Sequence, residues 1–210
     1  MSESDQILEE SNLLSSSLLV GLFNQITDDR TLVVLDMGLA SPASVNFFGQ
    51  TKCRLQYAGL IESNIESYND SALSHNERVT LFKQALNLET NIKIDIILFW
   101  DLFCYLSAPT IAAMLEALIP SLHARTKAHS IGLLNARQKM LYAEYGINSI
   151  DKLWQQPMST PQPRIYPHSR HDFGRILNYF SIDRSCLLSG NRVENILFIN
   201  SQADECAQRR

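Results

Sequence analysis

The stretch from Thr31 to Phe48 holds residues whose types and spacing suit a nucleotide-type ligand. It reads as an apolar strand, a loop of the phosphate-binding type and the start of a helix. Asp36 stands at the strand exit and Gly38 follows it, but Ala40 and Pro42 occupy two places where further glycines are expected. Three interpretations are open: a working site, a damaged one, or no site at all.

A second group of candidate residues lies at the exit of the apolar run "IDIILFW". Asp101 either lines a pocket or caps a helix by accepting hydrogen bonds from the amides of Phe103 or Cys104. Trp100 and Tyr105 either form an aromatic wall that a cation can face or belong to the core, where aromatic residues at strand ends are more often found.

Metal chemistry has little support in the sequence. His168 and His171 stand close to Asp172, but no third ligand follows at a recognisable spacing, which favours a solvated loop and a helix cap. The cysteines are far apart and form neither a zinc motif nor a redox motif: Cys53, Cys104, Cys186 and Cys206. We therefore expect no metal.

Composition sets the protein class. The chain has 210 residues, of which 45% are hydrophobic and 19% are charged. This length and this composition are typical of a soluble globular protein of one domain. A net charge of -4 and scattered basic residues do not indicate a nucleic-acid partner. The N-terminus lacks a basic region and its longest apolar stretch, Leu18 to Phe23, is too short to span a bilayer. We expect a cytoplasmic protein without a membrane partner.

The periodicity of the chain predicts alternating strands and helices. Residues 5 to 26 carry apolar side chains at spacings of three and four, which predicts an amphipathic helix, either continuous or broken near Ser15 to Ser17, in an N-terminal segment, residues 1–30. From residue 31 onward, strands are predicted at "TLVVLDM", at "KCRLQYAGL", from Ile94 to Phe99 and at "KAHSIGLLN". Helices are predicted between them, after "SPAS", over about 75–88 and after Ser107.

The C-terminal part completes the prediction. "ARQKMLYAEYGINSIDKLWQQ" has a helical pattern, a proline-punctuated loop covers residues 157–169, and "RHDFGRILNYF" predicts another helix. Gly190 and Asn191 between two apolar runs indicate a hairpin. This order predicts an α/β three-layer sandwich over residues 31–210, with a mostly parallel sheet that a C-terminal antiparallel hairpin closes. Its ligand is expected outside the C-terminal ends of the early strands.

Three segments together resemble the class I S-adenosylmethionine-dependent methyltransferase family. "VVLDMGLAS" is similar to the first motif of that family, a strand that ends in an acidic residue before a glycine loop. "IDIILFWDLFCYL" resembles its fourth-strand motif, and "SCLLSGNRVENILFIN" resembles its terminal hairpin. The resemblance covers residues 30 to 200 and implies S-adenosylmethionine as the cofactor.

The resemblance also implies a cofactor site. Asp36 would hold the methionine ammonium, and Gly38 would let the backbone pass close to the ligand. Ala40 adds a methyl group where the family has glycine, whereas Ser41 is a suitable N-cap with Pro42 in the first turn. Asp101 would line the site near the transferred methyl group.

Two departures from the family concern the adenosine. The acidic residue that binds the ribose is expected where Ala58, Gly59 and Leu60 stand, so only Glu62 lies near, either as a ribose ligand in a shifted turn or as an exposed residue at a helix start. The family also has a strand in the region that corresponds to residues 61–90, and the loop after it usually contacts the adenine. This chain has no evident strand there.

Candidate substrate contacts are Trp100 and Tyr105, as an aromatic wall for the sulfonium, together with Tyr166 and His168 if the loop at 157–169 is a lid. Two functions follow: a methyltransferase of weakened or no activity on a small molecule or protein, or a non-catalytic relative that binds a protein partner. The apolar face of the N-terminal helix suits its own sheet or a second copy of the chain.

Overall fold

The computed structural model describes residues 12–24, 30–61, 64–135, 137 and 139–200. Its strands are β1 Leu13–Ser15, β2 Leu32–Asp36, β3 Cys53–Tyr57, β4 Ile96–Trp100, β5 Lys127–Leu133, β6 Ala143–Ser149, β7 Lys152–Pro157, β8 Phe180–Leu188 and β9 Arg192–Ile199. Its α-helices are α1 Leu19–Phe23, α2 Pro42–Gly49, α3 His75–Leu86, α4 Ala108–Leu118 and α5 Arg170–Ile176. None of the helices in these ranges is long and apolar enough to cross a membrane.

The main sheet has six strands in the order β3-β2-β4-β5-β9-β8. The first four are parallel, and β9 runs antiparallel to both β5 and β8. Gly190 and Asn191 have φ of 74° and 63°, a left-handed backbone that reverses the chain between β8 and β9. The α/β class expected from the sequence is confirmed, and within the described residues no strand lies between β3 and β4.

Each face of the main sheet buries a different set of elements. Successive side chains of β4 point to opposite faces, and all five residues of this strand are buried. Ile97 and Phe99 belong to the core beneath α3 and α4. Ile96, Leu98 and Trp100 belong to the opposite core, which α1, α2 and a second sheet cover.

The helix starts follow the sequence. Ser41 precedes α2, and its Oγ accepts a hydrogen bond from the Ser44 amide at 3.2 Å, with Pro42 in the first turn. Ser107 is the residue before α4, again with proline in the first turn, although its side chain makes no capping hydrogen bond. Ser74 and Glu77 form a capping box at α3.

The helix predicted over residues 136–156 is wrong, because residues 143–157 form the hairpin of β6 and β7. Ala143, Tyr145 and Ile147 are buried at every second position, a strand period. They lie in the core on the α2 side of the main sheet. Packing against that sheet therefore selects the strand period of two residues over the helical period of 3.6 residues. With β1 the hairpin forms a three-stranded antiparallel sheet in the order β1-β7-β6, called the small sheet below.

The N-terminal prediction is partly wrong. Residues 13–15 form β1, paired with β7, rather than a turn of helix. Ser16 lies between β1 and α1, where it interrupts the predicted helix. Its Oγ accepts hydrogen bonds from the amides of Leu18 and Leu19 at the start of α1. The remainder of the predicted helix, residues 5–11 and 25–26, lies outside the described residues.

Candidate functional site

Asp36 lies at the end of β2 and is completely buried. Its Oδ1 accepts two hydrogen bonds, from the Gly38 amide at 2.9 Å and from the indole Nε1 of Trp100 at 2.5 Å. Its Oδ2 has no hydrogen-bond partner among the described residues. The carboxylate that the resemblance assigns to the methionine ammonium is thus bonded to the protein itself.

The indole of Trp100 fills the space beside Gly38. A Cβ placed on Gly38 would lie 2.9 Å from Cδ1 and 3.0 Å from Nε1 of the indole, closer than a Cβ approaches its neighbours. The ring stacks on Tyr145 with centroids 5.7 Å apart and meets His129 edge to face at 5.4 Å. Only 1% of Trp100 is exposed. The glycine of the first motif therefore makes room for an indole.

Strand β6 covers the start of α2. A Cβ on Gly146 would lie 2.2 Å from Ser41 Oγ, so the β6 backbone is in direct contact with the helix cap. The Ile147 amide donates to Ser44 Oγ at 3.0 Å. The free amides of a first helical turn attract polar groups of ligands, but here β6 lies against that turn.

Burial governs the electrostatics of this site. Desolvation raises the pKa of Asp36 to about 7, although the hydrogen bonds from Trp100 and Gly38 oppose the shift, and Glu144 adds repulsion. Burial also raises the pKa of Tyr57, beside Asp36 in the next strand, to about 12. With a pKa of about 7, roughly half of the Asp36 carboxyl groups are protonated at pH 7, and a protonated carboxyl is a weak partner for an ammonium group.

Asp101 is also fully buried, and its side chain does not cap the following turn. The Cys104 amide donates to the backbone carbonyl of Asp101, while Asp101 Oδ2 accepts a hydrogen bond from Tyr105 Oη at 2.9 Å. Desolvation raises the pKa of Asp101 to about 7 against the effect of that bond. The side-chain cap considered from the sequence is therefore wrong, and both Trp100 and Tyr105 are fully buried core residues.

The segment where the ribose-binding acid was expected is bonded to the Gly38 turn. The amides of Ala58, Gly59 and Leu60 donate to the carbonyls of Asp36, Gly38 and Met37 at 2.8, 3.2 and 3.2 Å. Glu62 lies outside the described residues. Ala40 follows this turn as an exposed residue.

Tyr166 and His168 lie elsewhere, along a groove on the α5 side of the main sheet. The Tyr166 amide donates to the Cys104 carbonyl at 2.8 Å, and His168 Nε2 bonds the Leu106 carbonyl at 2.9 Å. Their loop therefore runs along the turn after β4 and lines a cavity of about 680 Å³. Over the described ranges, no three His, Cys, Asp or Glu side chains are grouped as metal ligands would be.

Sequence reasoning missed the residues that β6 contributes. Tyr145 stacks on Trp100, and Gly146 contacts Ser41. Glu144 raises the pKa of Asp36 by electrostatic repulsion. The alternation of apolar residues at 143, 145 and 147 was the signal that could have placed them in a strand.

The comparisons with known proteins add solved structures of low similarity. No family model matches the chain, and no curated protein matches it. A S-adenosylmethionine-dependent methyltransferase from Clostridium acetobutylicum has 11% identity and a TM-score of 0.47, over 94% of this chain and 91% of that one. The magnesium protoporphyrin IX methyltransferase of Synechocystis, with bound S-adenosylmethionine, has 13% identity and a TM-score of 0.48, over 93% and 80%.

These two solved structures are methyltransferases, the class of protein that the sequence motifs resemble. At these identities and scores the likeness assigns no activity, so the function is argued from the residues of this chain.

Proposed function

We propose that this chain is a non-catalytic methyltransferase-like protein, a binding module whose cofactor position is filled by its own side chains. One observation carries the proposal: the Trp100 indole lies against Gly38 and donates to Asp36 Oδ1. In this arrangement the glycine, the carboxylate and the adjoining volume all serve packing within the chain.

Energetics support this proposal over cofactor binding. For S-adenosylmethionine to enter, the indole must leave a fully buried position, with loss of its apolar burial, its hydrogen bond and its stack on Tyr145. Burial of a large aromatic side chain stabilises by about 2–3 kcal/mol, and a hydrogen bond by about 1 kcal/mol. Such a loss would weaken the binding of the ligand by roughly two to three powers of ten.

The fluorescence of Trp100 tests the proposal directly. The chain has two tryptophans, so the Trp154→Phe variant leaves Trp100 as the single reporter. We expect an emission spectrum typical of a buried indole, and no change in it on addition of S-adenosylmethionine. The Trp100→Phe variant, which keeps Trp154, is the matched control for non-specific quenching.

A second candidate, a methyltransferase in which Trp100 is a gate, is favoured by two observations. Trp100 has a φ of 52°, a strained left-handed conformation for a bulky residue, and Asp36 Oδ2 is unpaired among the described residues. If the strained indole swings out, the carboxylate becomes available to an ammonium group. A saturable red shift of Trp100 emission with S-adenosylmethionine would show that the cofactor displaces the indole, as this candidate requires, and would overturn the first.

A further inference from the structure

The groove on the α5 side of the main sheet exists because α5 is short. This helix has seven residues and is about 10 Å long, whereas β8 beneath it has nine residues and spans about 30 Å. The helix therefore leaves part of β5, β9 and β8 uncovered at the end where Gly132, Val193 and Leu187 lie. The cavity of about 680 Å³ falls within the size range of small-molecule sites.

A row of polar residues crosses the uncovered sheet face. Ser130 of β5, Asn195 of β9 and Ser185 of β8 are direct cross-strand partners, so their side chains share this face. The neighbouring rows on the same face are apolar and contain Leu197 and Val193. Polar groups at such a place are disfavoured unless they form hydrogen bonds.

Asn195 is the central residue of this row, and half of its amide is unused. The residue is 4% exposed and lines the groove. Its Oδ1 accepts a hydrogen bond from Ser185 Oγ at 2.7 Å, but its Nδ2 has no acceptor in the described part of the chain. Nδ2 lies 3.8 Å from the position that a Cβ on Gly132 would take, and Val193 Cγ1 lies 3.2 Å from that position, so these three residues meet at the wall of the groove. Ser130 Oγ, next in the row, also lacks a partner within the described ranges.

The walls of the groove are aromatic and apolar. Phe103 and Phe173 meet with ring centroids 5.3 Å apart, and Tyr166 lies on the same rim. On the rim, Arg170 and Asp172 supply one charge of each sign, which gives no preference for a charged ligand. The lining of the groove is therefore mainly aromatic and apolar, with the Asn195 amide as a buried polar group in its wall.

We propose that this groove binds a mostly apolar, planar aromatic molecule that presents a carbonyl oxygen to Asn195 Nδ2. The Phe103, Tyr166 and Phe173 rings contact the faces and edges of the molecule. The unused amide donor selects the carbonyl. The site is independent of the proposed function, since none of its residues lies in the Asp36 and Trp100 cluster.

Two probes that differ only in the carbonyl group test this proposal: 2-acetylnaphthalene and 2-ethylnaphthalene, with dissociation constants from ligand-observed NMR. We expect 2-acetylnaphthalene to bind about tenfold more tightly, the effect of one satisfied buried donor. Without that hydrogen bond the order reverses, because the ethyl compound is more apolar. Equal affinities, tighter binding of the ethyl compound, or no binding of either probe would overturn the proposal.

Two variants assign the effect to Asn195. Asn195→Asp keeps the shape and the acceptor for Ser185 but replaces the Nδ2 donor, so the tenfold preference should disappear. Ser185→Ala is the matched control, because it leaves Nδ2 intact and should keep the preference. In the unaltered protein the Asn195 side-chain amide resonance should shift more with 2-acetylnaphthalene than with 2-ethylnaphthalene at equal saturation, because only the first accepts its hydrogen bond. An unmoved resonance, or the same shift with both probes, would contradict the proposal even if a variant failed to fold.

Discussion

Gly38 and Trp100 form one packing unit at the end of β2 and β4. The indole occupies the side-chain space of the glycine and donates to the carboxylate two residues before it. A glycine loop next to an acidic residue is a ligand-binding signature only when the space beside the glycine is open. Here the same residue types position an indole.

A double-mutant cycle measures that unit. Gly38→Ala should lower the free energy of unfolding by about 2 kcal/mol, because its Cβ overlaps the indole. In a Trp100→Leu background the same substitution should be nearly neutral, since the overlap is gone. Denaturant unfolding of the four proteins gives the coupling energy, and strictly additive effects would show that the two residues do not interact.

The buried Asp36 carboxyl predicts a pH dependence of stability. Its pKa is about 7 in the folded chain and 3.8 as a reference value, so between pH 4 and pH 7 the folded state binds a proton that the unfolded state has released. The contribution of the protonated Asp36 carboxyl to the free energy of unfolding is therefore fully present below about pH 4. It is lost as the pH rises to 7, by about 1.4 kcal/mol per pH unit. Burial raises the pKa of Asp101 to about 7 as well, so this carboxyl contributes to the pH dependence in the same direction.

The Asp36→Asn variant isolates this contribution. An amide keeps an acceptor for Trp100 and Gly38 but does not ionise, so the fall in unfolding free energy between pH 5 and pH 6.5 should be smaller by about 1.4 kcal/mol per unit. Asn in place of the exposed Asp183 is the control and should leave the slope unchanged. An unchanged slope in Asp36→Asn would show that this carboxyl is already ionised in the folded protein.

At the scale of elements, the small sheet replaces a helix on one face of the main sheet. Buried polar contacts bind the main sheet to the elements on this face: Glu194 Oε1 accepts a hydrogen bond at 2.6 Å from the Oγ of Ser16, the residue after β1, and lies 2.8 Å from His129 Nε2 of the main sheet. Arg192 donates to Tyr145 Oη and to Gln155 Oε1 at 3.2 and 2.7 Å. These contacts hold β6 over the start of α2.

Contact between β6 and α2 predicts a sharp response at Gly146. Gly146→Ala should destabilise the protein by about 2–3 kcal/mol, because its Cβ would overlap Ser41 Oγ. Gly174→Ala in α5, where a Cβ meets nothing within 4 Å, should be neutral or stabilise by up to about 1 kcal/mol. Thermal unfolding of both variants checks the pair, and similar melting temperatures would contradict the close packing of β6.

For the molecule as a whole, local patterns were sufficient for part of the fold. The buried run of β4, the Ser41 start of α2 and the turn at Gly190 and Asn191 were predicted from neighbouring residues alone. Strand β6 was missed because contacts with the distant main sheet, rather than its own sequence, select a strand over a helix.

The occupied site was beyond sequence reasoning for a related reason. The position of the Trp100 indole depends on a left-handed φ at the end of β4 and on a stack with Tyr145, 45 residues later. The sequence placed Asp36, Gly38 and Trp100 at strand ends, where the structure also has them. It did not indicate that these residues would bind one another.

A calorimetric titration of S-adenosylmethionine into the unaltered protein tests the central claim, that the cofactor position is filled. We expect no saturable heat up to millimolar ligand, and no rise in melting temperature, because a ligand stabilises only the state that it binds. The Trp154→Ala variant, which lacks the other indole of the chain, should likewise show no saturable heat and no rise in melting temperature. Saturable binding at micromolar concentrations, abolished by Asp36→Ala, would contradict the account and establish a working cofactor site beside Gly38.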